Sequence, residues 1–132
     1  MELKEKLKDQ VALIVEDDES VGGLAVRALT IFGFKKVDLA EDEERALELL
    51  NLNQYQFIVS DTNYGSPAAK DHFGPRIVAT ARKLGQSPKV IATSGLDNNR
   101  ELWIGESKPD SFLTKPFSLK DFKEAIEKLY QV

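Results

Sequence analysis

Apolar and polar positions along this chain repeat one order: a short unbroken apolar run, a punctuated polar stretch, then apolar residues at helical spacing. Val11-Ala12-Leu13-Ile14-Val15 is the first run, and its continuity predicts a strand buried on both faces. Val21, Leu24, Ala25, Ala28, Leu29 and Phe32 follow at helical spacing, and Gly33 stops that helix. Lys36-Val37-Asp38-Leu39 alternates, as an edge strand does. Asp42 reads as the N-cap of a helix turning Ala46, Leu47 and Leu50 inward. Phe57-Ile58-Val59 is the third strand, ending at Asp61. From Thr62 to Gly74 no period survives, and Gly65, Pro67, Gly74 and Pro75 punctuate the stretch. Pro75 suits the first turn of a helix whose inward face is Ile77, Val78, Ala81 and Leu84. Val90-Ile91-Ala92 is the fourth strand, and residues 97–105 hold a short polar helix around Leu102 and Trp103. Phe112-Leu113 is a brief fifth strand. Ser118 opens a last helix with Leu119, Phe122, Ile126, Leu129 and Tyr130 on one face.

Five alternating strand–helix units predict an α/β fold with a parallel sheet and right-handed crossovers. The alternating second run belongs at one edge and the short fifth run at the other. The doubly wound order 2-1-3-4-5 satisfies both, with its switch point between the first and third strands. Those strands end in Glu16-Asp17 and in Asp61. A single domain over residues 1–132 is expected, with residues 1–9 as a lead-in (a helical turn or frayed end over Leu3–Lys8) and no output domain.

Composition narrows the function. The 18 basic and 22 acidic residues leave a net charge of -4, no footing for gripping a nucleic-acid backbone. There is no cysteine, hence no disulfide frame, thiolate metal site or cysteine nucleophile. The charged start MELKEKLKDQ is not a signal peptide, and no run nears the about 20 apolar residues of a membrane span. A cytoplasmic protein without membrane contact is the expectation.

Four strand ends then carry the chemistry: Glu16-Asp17, Asp61, Ser94 and Lys115. In this architecture the carboxyl ends of the strands open onto one crevice. Three carboxylates crowded there repel one another unless a cation neutralises them. Hard oxygen ligands with room for water favour Mg²⁺. Asp61 is the central carboxylate, and a carboxylate can attack phosphorus. Lys115 supplies a point charge for a phosphoryl oxygen, the Ser94 hydroxyl a hydrogen bond, and Gly95 leaves space. An isolated Glu16-Asp17-Asp18 triplet would as readily be solvated acid at a helix start; Asp61 and Lys115 weigh against that for the first two, while Asp18 fits the helix start. Thr93 competes with Ser94 for one role, and strand alternation favours Ser94. His72, the sole histidine, sits in a Gly/Pro-rich stretch and reads as exposed and inert. Phe73 and Trp103 read as partly exposed contact residues.

Taken together, the acidic pair 16–17, Asp61, Ser94-Gly95, Lys115-Pro116-Phe117 and the aromatic Phe112 resemble the receiver domain of two-component response regulators of the chemotaxis-regulator-like kind. The resemblance spans residues 10–131 and implies a flavodoxin-like fold with five helices. It implies Asp61 as phosphoacceptor, charged by a histidine kinase or histidine phosphotransferase. Mg²⁺ would be held by Glu16, Asp17, Asp61 and the backbone carbonyl of Asn63. Ser94 and Lys115 would grip the phosphoryl group, and Lys115–Pro116 would be a cis peptide. Ser94 and Phe112 would form a switch reshaping the face of the fourth helix, fifth strand and fifth helix for a protein output partner. On this reading the chain is a regulator rather than an enzyme, with self-phosphorylation from donors and autodephosphorylation at most.

Two departures from the family pattern stand out. The Thr62–Gly74 stretch is longer than usual, with His72-Phe73-Gly74 where an Asp-Gly pair is customary, and the fourth-helix region is short and polar. Rival readings fare worse. A haloacid-dehalogenase-type hydrolase needs a second aspartate two residues past the nucleophile, where this chain has Asn63. A flavodoxin-like mononucleotide binder needs a Ser/Thr/Gly-rich loop after the first strand, where this chain has acids. A receiver-like interaction module that works without phosphorylation would not need the Asp61, Lys115 and acidic-pair set.

Overall fold

The computed structural model describes residues 2–62, 73–95 and 102–132. Its elements are α1 (Leu3–Leu7), β1 (Val11–Val15), α2 (Glu19–Phe32), β2 (Lys36–Ala40), α3 (Glu43–Leu52), β3 (Phe57–Asp61), α4 (Phe73–Lys83), β4 (Lys89–Ser94), a 3₁₀ turn at Gly105–Ser107, β5 (Ser111–Thr114) and α5 (Leu119–Leu129). The strands form one parallel sheet in the order β2-β1-β3-β4-β5. This is the expected flavodoxin-like arrangement; among the described residues it carries five α-helices, one of which is the lead-in α1 rather than the helix predicted over 97–105. β1 and β3 lie side by side, in register from Ala12 opposite Phe57 to Val15 opposite Ser60, so their C-terminal ends open together.

Alternation along the strands divides the core in two. Ala12, Ile14, Phe57, Val59 and Ile91 pack with Leu29 and Phe32 of α2, Phe122 and Ile126 of α5, and Leu3 and Leu7 of α1. Leu13, Val15, Ile58, Val90 and Ala92 face Ala46, Leu49 and Leu50 of α3 and Ile77, Val78 and Ala81 of α4. The first layer holds Phe34 stacked on Phe57, ring centroids 5.1 Å apart, and Phe32 edge-on to Phe122 at 5.9 Å. Aromatic pairs of this kind add about 0.5–1.5 kcal/mol beyond their buried area.

Helix ends follow side-chain chemistry. The carboxylate of Asp18 accepts the Val21 N–H, that of Asp42 accepts the Arg45 N–H, and Ser118 with Asp121 forms a reciprocal capping box. Each such cap stabilises by about 1 kcal/mol. Gly33 closes α2 at φ 123°, where a Cβ would stand 2.9 Å from the Lys4 backbone. Glycine is therefore required both by the dihedral and by the docking of α1. The lead-in is thus a seated helix rather than a frayed end, with Leu7 fully buried.

Several predicted faces are rotated. Leu24, Leu84 and Leu119 are exposed (63%, 46% and 61%), whereas Gly22 and Leu49 are buried. In α2 the small Gly22 lets Leu39 approach to 3.0 Å of where a Cβ would be, and this close approach turns the helix away from the Val21–Leu24 stripe. The helix expected over 97–105 falls partly outside the described residues; Trp103 and Ile104 are not helical, and Gly105–Ser107 makes a single 3₁₀ turn. Trp103 is buried, not a surface contact. His72 lies outside the described residues, as does most of the long Thr62–Gly74 stretch. No described helix is long and apolar enough to cross a membrane.

Candidate functional site

Glu16 continues the line of β1 for one residue, its N–H bonded to the Ala40 carbonyl at 3.0 Å, which pulls its side chain under cover to 5% exposure. One carboxylate oxygen of Glu16 accepts the Asp18 N–H at 3.2 Å, and the other accepts the Lys115 ammonium. Asp17 is exposed and follows directly. Asp61 ends β3; its Oδ1 accepts the Thr62 N–H at 3.0 Å and its Oδ2 lies 3.2 Å from Lys115 Nζ. Carboxylate oxygens of Glu16, Asp17 and Asp61 all fall within 4.8 Å of one another. Asp18 stays out of this group as the cap of α2.

Lys115 reaches the cluster from beyond β5. Its N–H donates to the Ser94 carbonyl at 2.7 Å, so the ends of β4 and β5 are tied together there, and the Lys115–Pro116 bond is cis. Ser94 is 6% exposed and pairs in register with Thr114, two residues after the Ala92–Phe112 pair. Strand alternation sets Ser94, Ala92 and Phe112 on one face of the sheet. Phe112 is half-buried against the core layer holding Ala92 and Trp103. Asn63, expected to offer a carbonyl ligand, lies outside the described residues.

The electrostatics follow from burial. Glu16 is held above the ordinary carboxylate range by desolvation, which the Lys115 hydrogen bond only partly offsets. Asp61 is raised for the same reason, against the opposing charge of Lys115. For Lys115, burial works against the ammonium, but the Glu16 hydrogen bond and the charges of Asp61 and Glu16 outweigh it and hold it above 10.5. Three carboxylates and one ammonium leave a charge of -2 when all are ionised, the match for one divalent cation.

A pH dependence follows. In the folded chain Glu16 and Asp61 hold protons that the unfolded chain, titrating near 4.5 and 3.8, has already released. Stability then falls as pH rises above the ordinary carboxylate range. Lys115 acts oppositely: its contribution is fully present at neutral pH and is lost only as pH climbs through its raised value above 10.5. With a chelator present, the denaturation midpoint should drop as pH rises from the ordinary carboxylate range toward neutrality, and excess Mg²⁺ should flatten that slope by binding the deprotonated cluster. A chelated midpoint that climbs over this range would show that the buried acids do not govern it.

Residues that the sequence did not assign to the site also build it. Thr62, 1% exposed, anchors the end of β3 to β4 through its N–H and hydroxyl, both donated to the Thr93 carbonyl at 2.9 and 2.8 Å. Trp103 Nε1–H donates to the Thr62 hydroxyl at 3.1 Å. Gly74 opens α4 so close to Asp61 that a Cβ would meet the Asp61 carbonyl at 2.1 Å. The only sequence signals were a lone tryptophan in a polar stretch and a glycine just before a helix proline.

Comparison with known proteins agrees with this arrangement. The family model of the response regulator receiver domain matches residues 12–127. Chemotaxis protein CheY of Pseudomonas aeruginosa is 25% identical over 119 residues, 90% of this chain and 94% of that protein. Transcriptional regulatory protein LytR of Staphylococcus aureus is 29% identical over 123 residues, covering 89% of this chain but 46% of LytR, so the chain spans about half of that relative. Among solved structures, the Francisella response regulator 1452 receiver domain is similar at a TM-score of 0.73 and 28% identity, over 93% of this chain and 98% of that one.

Proposed function

The chain belongs to the response regulator receiver family, and from that premise we propose that it is a phosphoacceptor switch of a two-component or phosphorelay system. Asp61 takes a phosphoryl group from a histidine kinase or histidine phosphotransferase, and the altered surface is answered by a protein partner. One observation carries this reading: the partly buried Asp61 carboxylate sits at the switch point among two further carboxylates and a lysine ammonium. In the transfer, an Asp61 oxygen bonds to phosphorus while the bond from phosphorus to the donor nitrogen breaks, its electron pair leaving with the imidazole. Lys115, whose ammonium spans Glu16 and Asp61, neutralises charge building on a phosphoryl oxygen. The Ser94 hydroxyl would hydrogen-bond another. The donor set fits Mg²⁺: Asp17 and Asp61, with Glu16 directly or through water, would hold the ion, which supplies charge neutralisation when bound. Signalling rather than metabolic turnover is the family's business, so the chain is read as a regulator.

Output would run through β5 and α5. Phosphorylation takes the Asp61 side chain from a charge of about -1 to about -2 and adds acceptor oxygens. Ser94 moving toward them frees space on its own face of the sheet, where Phe112 stands two residues along in register. Phe112 also lines a groove of about 590 Å³ with Pro116, Phe117 and Ala125. A swing of its ring therefore alters what that groove presents, and the groove belongs to the face on which a partner would read the state.

The test is an amide-resonance comparison with and without beryllofluoride and Mg²⁺, a stand-in for the phosphoryl group. Shifts are expected around Asp61 and across residues 94–117. Ser94→Ala should keep the shifts near Asp61 and weaken those around Phe112. A mutant that propagates the full set would mean that the signal does not pass from Ser94 to Phe112.

A further inference from the structure

Trp103 is 4% exposed although the segment Leu102–Ser107 around it contributes no α-helix, and its neighbour Ile104 is 72% exposed. A buried indole N–H needs an acceptor, and this one uses the hydroxyl of Thr62, the residue immediately after Asp61. That hydroxyl spends its own proton on the Thr93 carbonyl at 2.8 Å and has a lone pair left for the indole. The Thr62 N–H meanwhile lies 3.0 Å from Asp61 Oδ1, the oxygen opposite the one facing Lys115. Thr62 is thus the joint between the Asp61 carboxylate, β4 and the indole. There is little slack around it. Gly74 N–H donates to the Thr62 carbonyl at 3.3 Å, and a Cβ on Gly74 would strike both the Asp61 carbonyl, at 2.1 Å, and the Trp103 ring, at 2.9 Å.

We propose that Trp103 is a positioning residue for Asp61: through the Thr62 hydroxyl its indole N–H fixes the end of β3, and with it the direction of the Asp61 carboxylate. The same link carries a change at Asp61 outward to residues 102–107. The inference rests on the reading of Asp61 as phosphoacceptor. Its physical content is simple. A group bonded to Asp61 alters what the Thr62 N–H donates to; Thr62 cannot shift without disturbing its hydroxyl, and the hydroxyl cannot turn without disturbing the indole. This route differs from the one through Ser94 and Phe112 in running from Thr62 to the indole at residue 103, although the two meet at Thr93, whose carbonyl accepts both Thr62 donors.

The chain has one tryptophan, so ¹⁵N-labelled protein gives one indole resonance. Adding beryllofluoride with Mg²⁺ should move it together with the amides around Asp61. Thr62→Val removes the indole's acceptor, and with it the hydroxyl's bond to the Thr93 carbonyl that Trp103→Phe leaves in place, while keeping the shape; it should slow modification by acetyl phosphate about tenfold, since small misplacements of a reacting group carry large rate penalties. Thr62→Ser, which keeps the hydroxyl, should restore most of the rate, and Trp103→Phe should behave like Thr62→Val. A purely structural role for the indole would instead show as lost stability without separating serine from valine. Equal rates for the valine and serine variants, or an indole resonance that stays still while Asp61 neighbours move, overturns the inference and leaves the phosphoacceptor reading intact. If wild-type protein takes up neither phosphate nor beryllofluoride, the phosphoacceptor reading falls and this inference with it. Should Thr62→Val fail to fold, Trp103→Phe and the indole resonance decide by the same criteria.

Discussion

Incubated with acetyl phosphate and Mg²⁺, the wild-type chain should gain the mass of a single phosphoryl group, and the Asp61→Asn variant none. The expectation is all-or-none because the attacking oxygen must be an anion. An amide keeps the shape, but its single oxygen can replace only one of the two that accept from the Thr62 N–H and face Lys115, and it lacks the anionic, nucleophilic oxygen. Neither neighbour is a good substitute. Glu16 has both oxygens engaged, by Asp18 N–H and by Lys115, and Asp17 stands at the exposed rim. The same substitution should stabilise the metal-free fold. It lowers the cluster's charge from -2 to -1 and removes a carboxylate that burial already disfavours in its ionised form. A gain of about 0.5–2 kcal/mol is expected, the range in which relieving a site kept for function commonly falls. Denaturant midpoints in chelator measure it. An unchanged adduct in Asp61→Asn would remove Asp61 from the phosphoacceptor role.

How much of this could be read beforehand varies by layer. The strands were legible because a doubly covered parallel strand must be apolar at every position, and VALIV and FIV are. Their order followed from the polar alternation of KVDL, which suits an edge, as β2 proves to be. Helix positions were legible but helix faces less so. The stripe of large residues in α2 suggested Leu24 as inward, yet the contact is made where the side chain is smallest, at Gly22 under Leu39. Hydrophobicity scales cannot flag a glycine as interface. Leu84 and Leu119 were misassigned for a related reason: each lies at a helix end, where the sheet no longer covers the face. The lead-in could be read as either a helical turn or a frayed end, since four of its first six residues after Met1 are charged, but Leu3 and Leu7 at i, i+4 seat it over Gly33. In the site, the charged residues were legible from the strand ends they terminate. Thr62 and Trp103 were not, because their bond spans 41 residues between a loop start and a segment without period.

Two adjacent aspartates give the sharpest separation of binding from folding. Asp17→Ala should weaken Mg²⁺ binding at least about tenfold, from a starting affinity in the micromolar-to-millimolar range, as for an ion held by few protein ligands and several waters. Its carboxylate is one of three that converge within 4.8 Å, and removing it leaves Glu16, already shared with Lys115, and Asp61. The fold should not suffer, because loss of one like charge relieves the remaining two. Asp18→Ala should do the reverse. Its Oδ1 caps α2 through the Val21 N–H at 3.0 Å, so its loss should cost about 1 kcal/mol of stability. Mg²⁺ binding should be nearly unchanged, because it is the backbone N–H of residue 18, retained in alanine, that orients Glu16. Titration calorimetry and denaturant midpoints on both variants give a two-by-two comparison. If alanine at 18 abolishes binding while alanine at 17 only destabilises, the divalent site is built around the wrong aspartate, and the turn after β1 must present its acids in a different order.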